Sequence, residues 1–143
     1  MDRREFIAVA GTVAAAASTS QAFAQMAAEQ PEHPPKHKAL AEACEECVET
    51  GNDCMRHCLG MYKMKDTSMA GCANAAYQLV AACAALQTLA SVNSEHTGHF
   101  AKAVEGVCKY CQKECDKFPK IAVCKTCGDS CKACAEECRK AAA

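Results

Sequence analysis

The spacing of the cysteines is the feature that most limits how this chain can fold. The sequence of 143 residues contains 14 cysteines, which follow one another mostly at intervals of three or four residues. Such intervals place side chains on one face of an α-helix, whereas a strand would need alternation at every second residue. Residues 36–118 contain no proline and are rich in Ala, Lys, Glu and Leu, which favour helix. The pattern therefore predicts an all-α protein.

Breaks in this helical pattern divide the chain into four segments. Residues 65–68 and 91–94 are rich in side chains that cap helix N-termini, and Pro119 suits a first helical turn. The predicted helices cover about residues 36–64, 68–91, 95–117 and 119–140. Four helices of similar length, joined by short turns, predict an antiparallel up-down four-helix bundle.

Every cysteine falls on one heptad seam of its predicted helix, together with apolar residues. The first seam holds Cys44, Cys47, Gly51, Cys54, Cys58 and Met61, and the second holds Met69, Cys72, Ala76, Leu79, Cys83, Leu86 and Ala90. The third holds Ala101, Val104, Cys108, Cys111, Cys115 and Phe118, and the fourth holds Cys124, Cys127, Cys131, Cys134 and Cys138. Because seam positions form the interior of a bundle, we expect a core lined with cysteine.

The N-terminal residues have the features of an export signal. Arg3 and Arg4 precede an apolar stretch, and Ala22-Phe23-Ala24 offers a cleavage point, so residues 1–24 are predicted to be a twin-arginine signal peptide. The apolar stretch is shorter than the ~20 residues of a bilayer span, so no membrane insertion is expected after its removal. Residues 25–35 are predicted to be a flexible lead-in and residues 36–143 the bundle domain. The expected location is the periplasm or a related extracytoplasmic compartment.

The charge balance argues against one class of partner. The formal net charge is −1, with no basic excess. Nucleic-acid binding is therefore not expected.

Disulfide bonds are one interpretation of so many cysteines in an exported protein. Within a helix, Cβ atoms three or four residues apart are ~5–6 Å apart, whereas a disulfide requires about 3.5–4.5 Å. Bonds within one helix are therefore disfavoured, but bonds between helices are possible. A disulfide-stapled structural or interaction bundle remains an alternative.

Metal binding is the other interpretation, because one ion can lie between two thiolates that are a helical turn apart. Soft thiolates select Cu(I), Zn(II) or iron–sulfur clusters. Zn(II) with four thiolates leaves a charge of −2 at each site, whereas Cu(I) at nearly one ion per thiolate almost neutralises the core. This favours many Cu(I) ions, with zinc or mixed-metal sequestration as an alternative because Cys124–Gly128 resembles a zinc knuckle. The ferredoxin and c-type haem motifs are absent, and no strand supports a thiol redox site, so an enzyme is not expected.

Methionine and histidine side chains are gathered at one predicted end of the bundle. Met61 and Met69 lie on seams where the first two helices meet, and Met64 and His57 flank them. Thioethers are soft, neutral ligands suited to passing Cu(I) onward. We therefore expect the ion entrance at this end, with Leu86, Ala90, Ala101 and Val104 closing the other. The remaining histidines, His33, His37, His96 and His99, are expected at the surface.

These motifs together resemble the bacterial copper storage proteins, which are cysteine-rich four-helix bundles. The resemblance rests on the segment from Cys54 to Met61 with Met64 and Met69, on Cys108, Cys111 and Cys115, and on the ladder from Cys124 to Cys138. It implies a homotetramer of bundles that each store numerous Cu(I) ions. For exported members it also implies a link to the copper supply of methane-oxidising enzymes.

Overall fold

A computed structural model of the chain describes residues 33–143, and these residues form four α-helices and no strand. The helices are α1 (Lys38–Lys63), α2 (Ala70–Ser91), α3 (Thr97–Cys115) and α4 (Ala122–Ala141). None of these helices is both long and apolar enough to cross a lipid bilayer. The predicted signal peptide and most of the predicted lead-in lie outside the described residues.

Each helix packs against two neighbours, in the cyclic order α1, α2, α3, α4 and back to α1. The α1–α4 interface shows the direction of packing, because Cys44 contacts Cys134 whereas Cys54 contacts Cys124. Residue numbers thus rise along α1 as they fall along α4. The same antiparallel order holds at the other interfaces, where the sulfur contacts are Cys54–Cys72, Cys72–Cys115 and Cys111–Cys127. The predicted up-down bundle is confirmed.

The first two helices end in turns closed by main-chain hydrogen bonds. At the end of α1, the Asp66 N–H donates to the Met61 carbonyl (3.0 Å) and the Lys65 N–H donates to the Tyr62 carbonyl (2.9 Å). This 6→1 and 5→2 pair is a Schellman motif, and Lys65 takes the required left-handed conformation with φ 63°. The same motif ends α2, where Asn93 has φ 55°. Both turns were also expected to supply side chains that cap the next helix. Asp66 Oδ1 accepts the Ser68 N–H (2.8 Å) and Ser94 Oγ accepts the His96 N–H (3.2 Å), just before α2 and α3. The Schellman motifs that end the preceding helices were not anticipated.

The N-cap residues of the four described helices make no capping hydrogen bond with their own side chains; they are His37, Met69, His96 and Ile121. Helix α4 starts at Ala122, so the expected start at Pro119 was also wrong, and Pro119 lies in the preceding turn. Helices in proteins derive most of their stability from tertiary packing of an amphipathic face. Packing of the core face therefore supplies most of the stability of the four helices.

The predicted seams form the core almost without exception. All 14 cysteines are buried, as are the expected apolar residues of α2 and the Ala101 and Val104 side chains of α3. Met61 and Phe118, at the last positions of two seams, are only partly buried. Four buried polar residues were not anticipated: Thr50, Thr97, Glu114 and Ser130.

Two glycines of α1 allow a test of how closely this helix packs. A Cβ at Gly51 would lie 2.8 Å from Cγ2 of Val80, whereas a Cβ at Gly60 would meet nothing within 4 Å. We predict that Gly51→Ala lowers the free energy of unfolding by about 1–3 kcal/mol through overpacking. Gly60→Ala is the matched control and should raise it by up to about 1 kcal/mol through helix propensity. Denaturant unfolding of the reduced protein measures both changes, and equal effects would contradict the packing.

Candidate metal centre

The cysteines form one continuous set of free thiols inside the bundle. All 14 are unbonded and buried, and 13 of them are 0% exposed, Cys115 being 1% exposed. The shortest Sγ–Sγ distance among their hydrogen-bonded pairs is 3.3 Å, between Cys54 and Cys72, whereas a disulfide bond measures about 2.05 Å. The core is thus a thiol array rather than a set of disulfide staples.

The closest sulfur contacts mostly join different helices. Five of the six close pairs cross an interface, and the exception joins Cys134 and Cys138 in α4 at 4.0 Å. The pairs between helices are Cys54–Cys72 (3.3 Å), Cys72–Cys115 (3.7 Å), Cys44–Cys134 (3.8 Å), Cys54–Cys124 (3.9 Å) and Cys111–Cys127 (3.9 Å). Helix packing therefore brings together thiols that are distant in sequence.

Four groups of cysteines have all their sulfur atoms within 4.8 Å of one another. They are Cys47, Cys83, Cys108 and Cys134; Cys54, Cys58 and Cys72; Cys54, Cys115 and Cys127; and Cys111, Cys127 and Cys131. Thiols at these separations can converge on a shared ion with modest side-chain rotation, since metal–sulfur bonds are about 2.3 Å long. Each group is a candidate metal site.

Cysteines that are close in sequence do not always belong to the same group. None contains both cysteines of a CxxC pair, whereas two contain a CxxxC pair, Cys54 with Cys58 and Cys127 with Cys131. Side chains four residues apart differ by roughly 40° in direction around the helix, and those three apart by roughly 60° in the opposite sense. Two CxxC pairs, Cys108 with Cys111 and Cys131 with Cys134, therefore divide their sulfurs between different groups, and each of the other two has one cysteine in no group.

Hydrogen bonds among the sulfurs favour the thiolate form at some positions. Hydrogen bonds from Cys108 and then Cys131 lower the pKa of Cys47 to about 5. Hydrogen bonds from Cys115 and then Cys54 lower the pKa of Cys72 to about 3. A few thiolates thus accept S–H groups from their neighbours, which shares the negative charge over several sulfurs.

Other cysteines are held in the neutral thiol form by their surroundings. Burial raises the pKa of Cys58 to about 11 and that of Cys124 to about 12. These thiols are protonated at neutral pH, and a metal ion must displace the proton to bind. These positions therefore add no charge to the core until cations arrive, whereas the thiolates at Cys47 and Cys72 do.

The four residues expected at the entrance occupy different depths. Met69 is buried at 1% exposure, Met61 is partly buried, and Met64 is 69% exposed after the last turn of α1. His57 is partly buried, and its Nε2 atom is enclosed without a hydrogen-bond partner. The four side chains thus differ widely in exposure, and Met64 lies outside the core.

Two polar contacts beside the sulfur core were not predicted from the sequence. The hydroxyls of Thr50 and Ser130 are 2.6 Å apart between α1 and α4. Both carboxylate oxygens of Glu114 accept hydrogen bonds from Lys117 Nζ at 2.6 Å. A Cβ on Gly71 would collide with this carboxylate, so glycine allows Glu114 to lie against the first turn of α2. The Thr50–Ser130 contact therefore joins α1 and α4, whereas the Glu114–Lys117 pair lies at the C-terminal end of α3.

The course of helix α4 shows whether Cys124 and Cys127 form a zinc knuckle or belong to the bundle core. A zinc knuckle would require a turn near Gly128, but α4 continues as helix from Ala122 to Ala141. Gly128 is buried, and a Cβ there would meet Cys115 and Asp116 at 3.5 Å, an ordinary contact. Cys124 and Cys127 therefore belong to the bundle core and not to a separate knuckle.

Comparison with known proteins gives a consistent result. Residues 32–143 match the family model described as copper storage protein. The structure is similar to that of apo copper storage protein 3 from Bacillus subtilis, with 27% sequence identity and a TM-score of 0.66 over 74% of this chain and 98% of that one. A search of curated proteins found no significant match. With its four-helix fold, its buried thiol groups and this match, the chain belongs to the copper storage protein family.

Proposed function

We propose that the protein stores copper as Cu(I), with many ions per chain bound to the thiolates of its core cysteines. The observation that carries this proposal is the burial of all 14 free thiols in one core. Soft sulfur ligands favour Cu(I) over harder ions. The ligand set consists of cysteines and methionines, with His57 as a nitrogen ligand near the entrance. Storage requires no chemical transformation, so we assign no catalytic residue.

Charge is the physical reason for preferring a monovalent ion. A buried thiolate without a partner is strongly disfavoured. One Cu(I) for each thiolate leaves little net charge, whereas divalent ions with four thiolates each would leave a large negative charge inside the bundle. The raised pKa values of Cys58 and Cys124 fit this account, since these cysteines stay neutral until an ion replaces the proton.

We predict that anaerobic titration of the reduced protein with Cu(I), against a competing chelator, saturates at about one ion per cysteine thiolate. Affinity should fall as the pH falls, because protons compete for thiols whose pKa is raised, such as that of Cys58 at about 11. Proton release during loading independently measures how many thiols lose a proton when Cu(I) binds.

The same samples test the alternatives. Saturation at one or two ions would contradict multiple storage. A thiol count near zero in freshly purified protein would favour disulfide staples, and displacement of most of the bound Cu(I) by Zn(II) would favour general metal sequestration.

We also propose that copper enters the bundle at the Met61 and Met69 end. The opposite end is closed by buried hydrocarbon side chains, including Leu86, Ala90 and Val104. At the Met end, His57 presents an unpartnered buried nitrogen and Met69 a buried thioether. A series of neutral ligands can pass an ion inward without the charge of a thiolate at the surface.

Removal of the two thioethers should slow loading without reducing capacity. We predict that the double variant Met61→Leu, Met69→Leu takes up Cu(I) several-fold more slowly in stopped-flow transfer from a chelator. Leucine keeps the volume and the apolar character, so the bundle should remain folded. Leu86→Met is the control, because it places a thioether at the closed end and should leave the rate unchanged. An unchanged rate in the double variant would reject this entrance.

A homotetramer is the assembly that we propose for the protein. Helix α2 carries no charged residue over Ala70–Ser91, and Tyr77 on its outer face is 67% exposed. An uncharged face of this length is typical of a contact surface between subunits. Tyr77→Glu should reduce the mass measured by light scattering, and Lys132→Glu on the charged outer face of α4 should not. A monomeric wild-type protein would contradict the proposal.

Finally, we propose that the protein is exported by the twin-arginine route, with residues 1–24 as the signal peptide. The paired Arg3 and Arg4 and the small residues up to Ala24 support this proposal. Terminal sequencing of the protein from the extracytoplasmic fraction should begin at Gln25. Retention of Met1 in a cytoplasmic protein would contradict it.

A further inference from the structure

One of the four sets of neighbouring cysteines differs from the others in the number of its cysteines and in the helices that supply them. Cys47, Cys83, Cys108 and Cys134 come from α1, α2, α3 and α4 respectively, and their sulfur atoms all lie within 4.8 Å of one another. Each of these four residues is 0% exposed. We call them the quartet. Among the described residues, it is the candidate group with four members, whereas the other groups have three.

We propose that the quartet binds one divalent ion with tetrahedral preference, of which Zn(II) is the representative, independently of the copper stored elsewhere in the core. Four sulfurs in a closed shell are the typical environment of structural zinc. With zinc–sulfur bonds of about 2.3 Å, the sulfurs of a regular tetrahedron are roughly 3.8 Å apart. Because the quartet's sulfurs lie within 4.8 Å of one another, each Sγ–Sγ distance needs to shorten by at most about 1 Å to reach this geometry.

The three-member groups cannot provide the same site. Three sulfurs leave a tetrahedral ion with an open position. Cu(I) accepts such low coordination numbers, so these groups suit copper. The quartet shares no cysteine with the other groups, so an ion held there leaves their ligands free. A chain could then carry one divalent ion together with many monovalent ones.

The charge of the site can be tolerated at a single position. A divalent ion with four thiolates retains a charge of −2, which is costly in an apolar core. Cys134 has two further sulfur neighbours, Cys44 at 3.8 Å and Cys138 at 4.0 Å. While Cys44 and Cys138 carry no copper, their S–H groups can donate to the metal-bound sulfur and share this charge. The quartet's surroundings therefore supply donors outside its own four ligands.

A divalent ion at this position would also stabilise the fold. Because each helix contributes one ligand, its four metal–sulfur bonds would join all four helices at one level of the bundle. An ion that binds only the folded state raises its stability by mass action. This role goes beyond copper storage, which does not require a divalent site.

Cobalt(II) serves as a spectroscopic probe of the site, since tetrahedral thiolate coordination gives strong visible bands. The full chain, reduced and metal-free, is titrated anaerobically with Co(II) and then with Zn(II). We expect a tetrathiolate spectrum that reaches its maximum at one Co(II) per chain and is lost when Zn(II) is added. Zn(II) should also raise the melting temperature of the wild-type protein.

Two single variants distinguish the quartet from nonspecific thiol binding. Cys83→Ala removes the ligand from α2 and should abolish both the tetrathiolate spectrum and the zinc-dependent rise in melting temperature. Cys58→Ala is the matched control, because it removes a buried sulfur from a three-member group and should preserve both. Cys108→Ala replaces Cys83→Ala if the latter loses its helical circular dichroism.

The proposal is overturned if the wild-type protein gives no tetrathiolate spectrum, or if Cys58→Ala weakens the spectrum as much as Cys83→Ala. Cu(I) titration of the same proteins distinguishes failure of the quartet site from failure of copper storage. A wild-type protein that binds many Cu(I) ions but gives no tetrathiolate Co(II) spectrum would refute the quartet site alone.

Discussion

Burial of sulfur is the constraint on which the rest of this structure depends. A neutral thiol is a small apolar group that packs well inside a protein, whereas a buried thiolate needs a compensating charge. The bundle therefore has a stable apolar interior when its cysteines are protonated, and it requires cations when they are ionised. The core that stabilises the helices is thus also the store, and no separate binding pocket has to be built beside it.

The burial of the cysteines could be predicted because it depends on helical periodicity alone. Steps of three and four residues fix which face each side chain occupies, and every cysteine lies inside as expected. The absence of proline and the short connections were enough to predict four antiparallel helices. These features require no knowledge of how far one helix is rotated or shifted against the next.

The grouping of the sulfurs could not be predicted, since it depends on that rotation and on side-chain conformation. Cys54 and Cys72 are far more distant in sequence than Cys44 and Cys47, yet the former pair is in contact. The turns were also misjudged, because Lys65 adopts a left-handed conformation that sequence does not favour for lysine. That turn leaves Met64 in solvent, which its place beside the predicted seam did not indicate.

Helix packing, rather than metal or disulfide bonds, thus sets the positions of the sulfurs. The decisive measurement is circular dichroism of the reduced, metal-free protein before and after loading with Cu(I). We expect a strongly helical spectrum that hardly changes when copper is added. A largely disordered chain that becomes helical only when copper binds would contradict it.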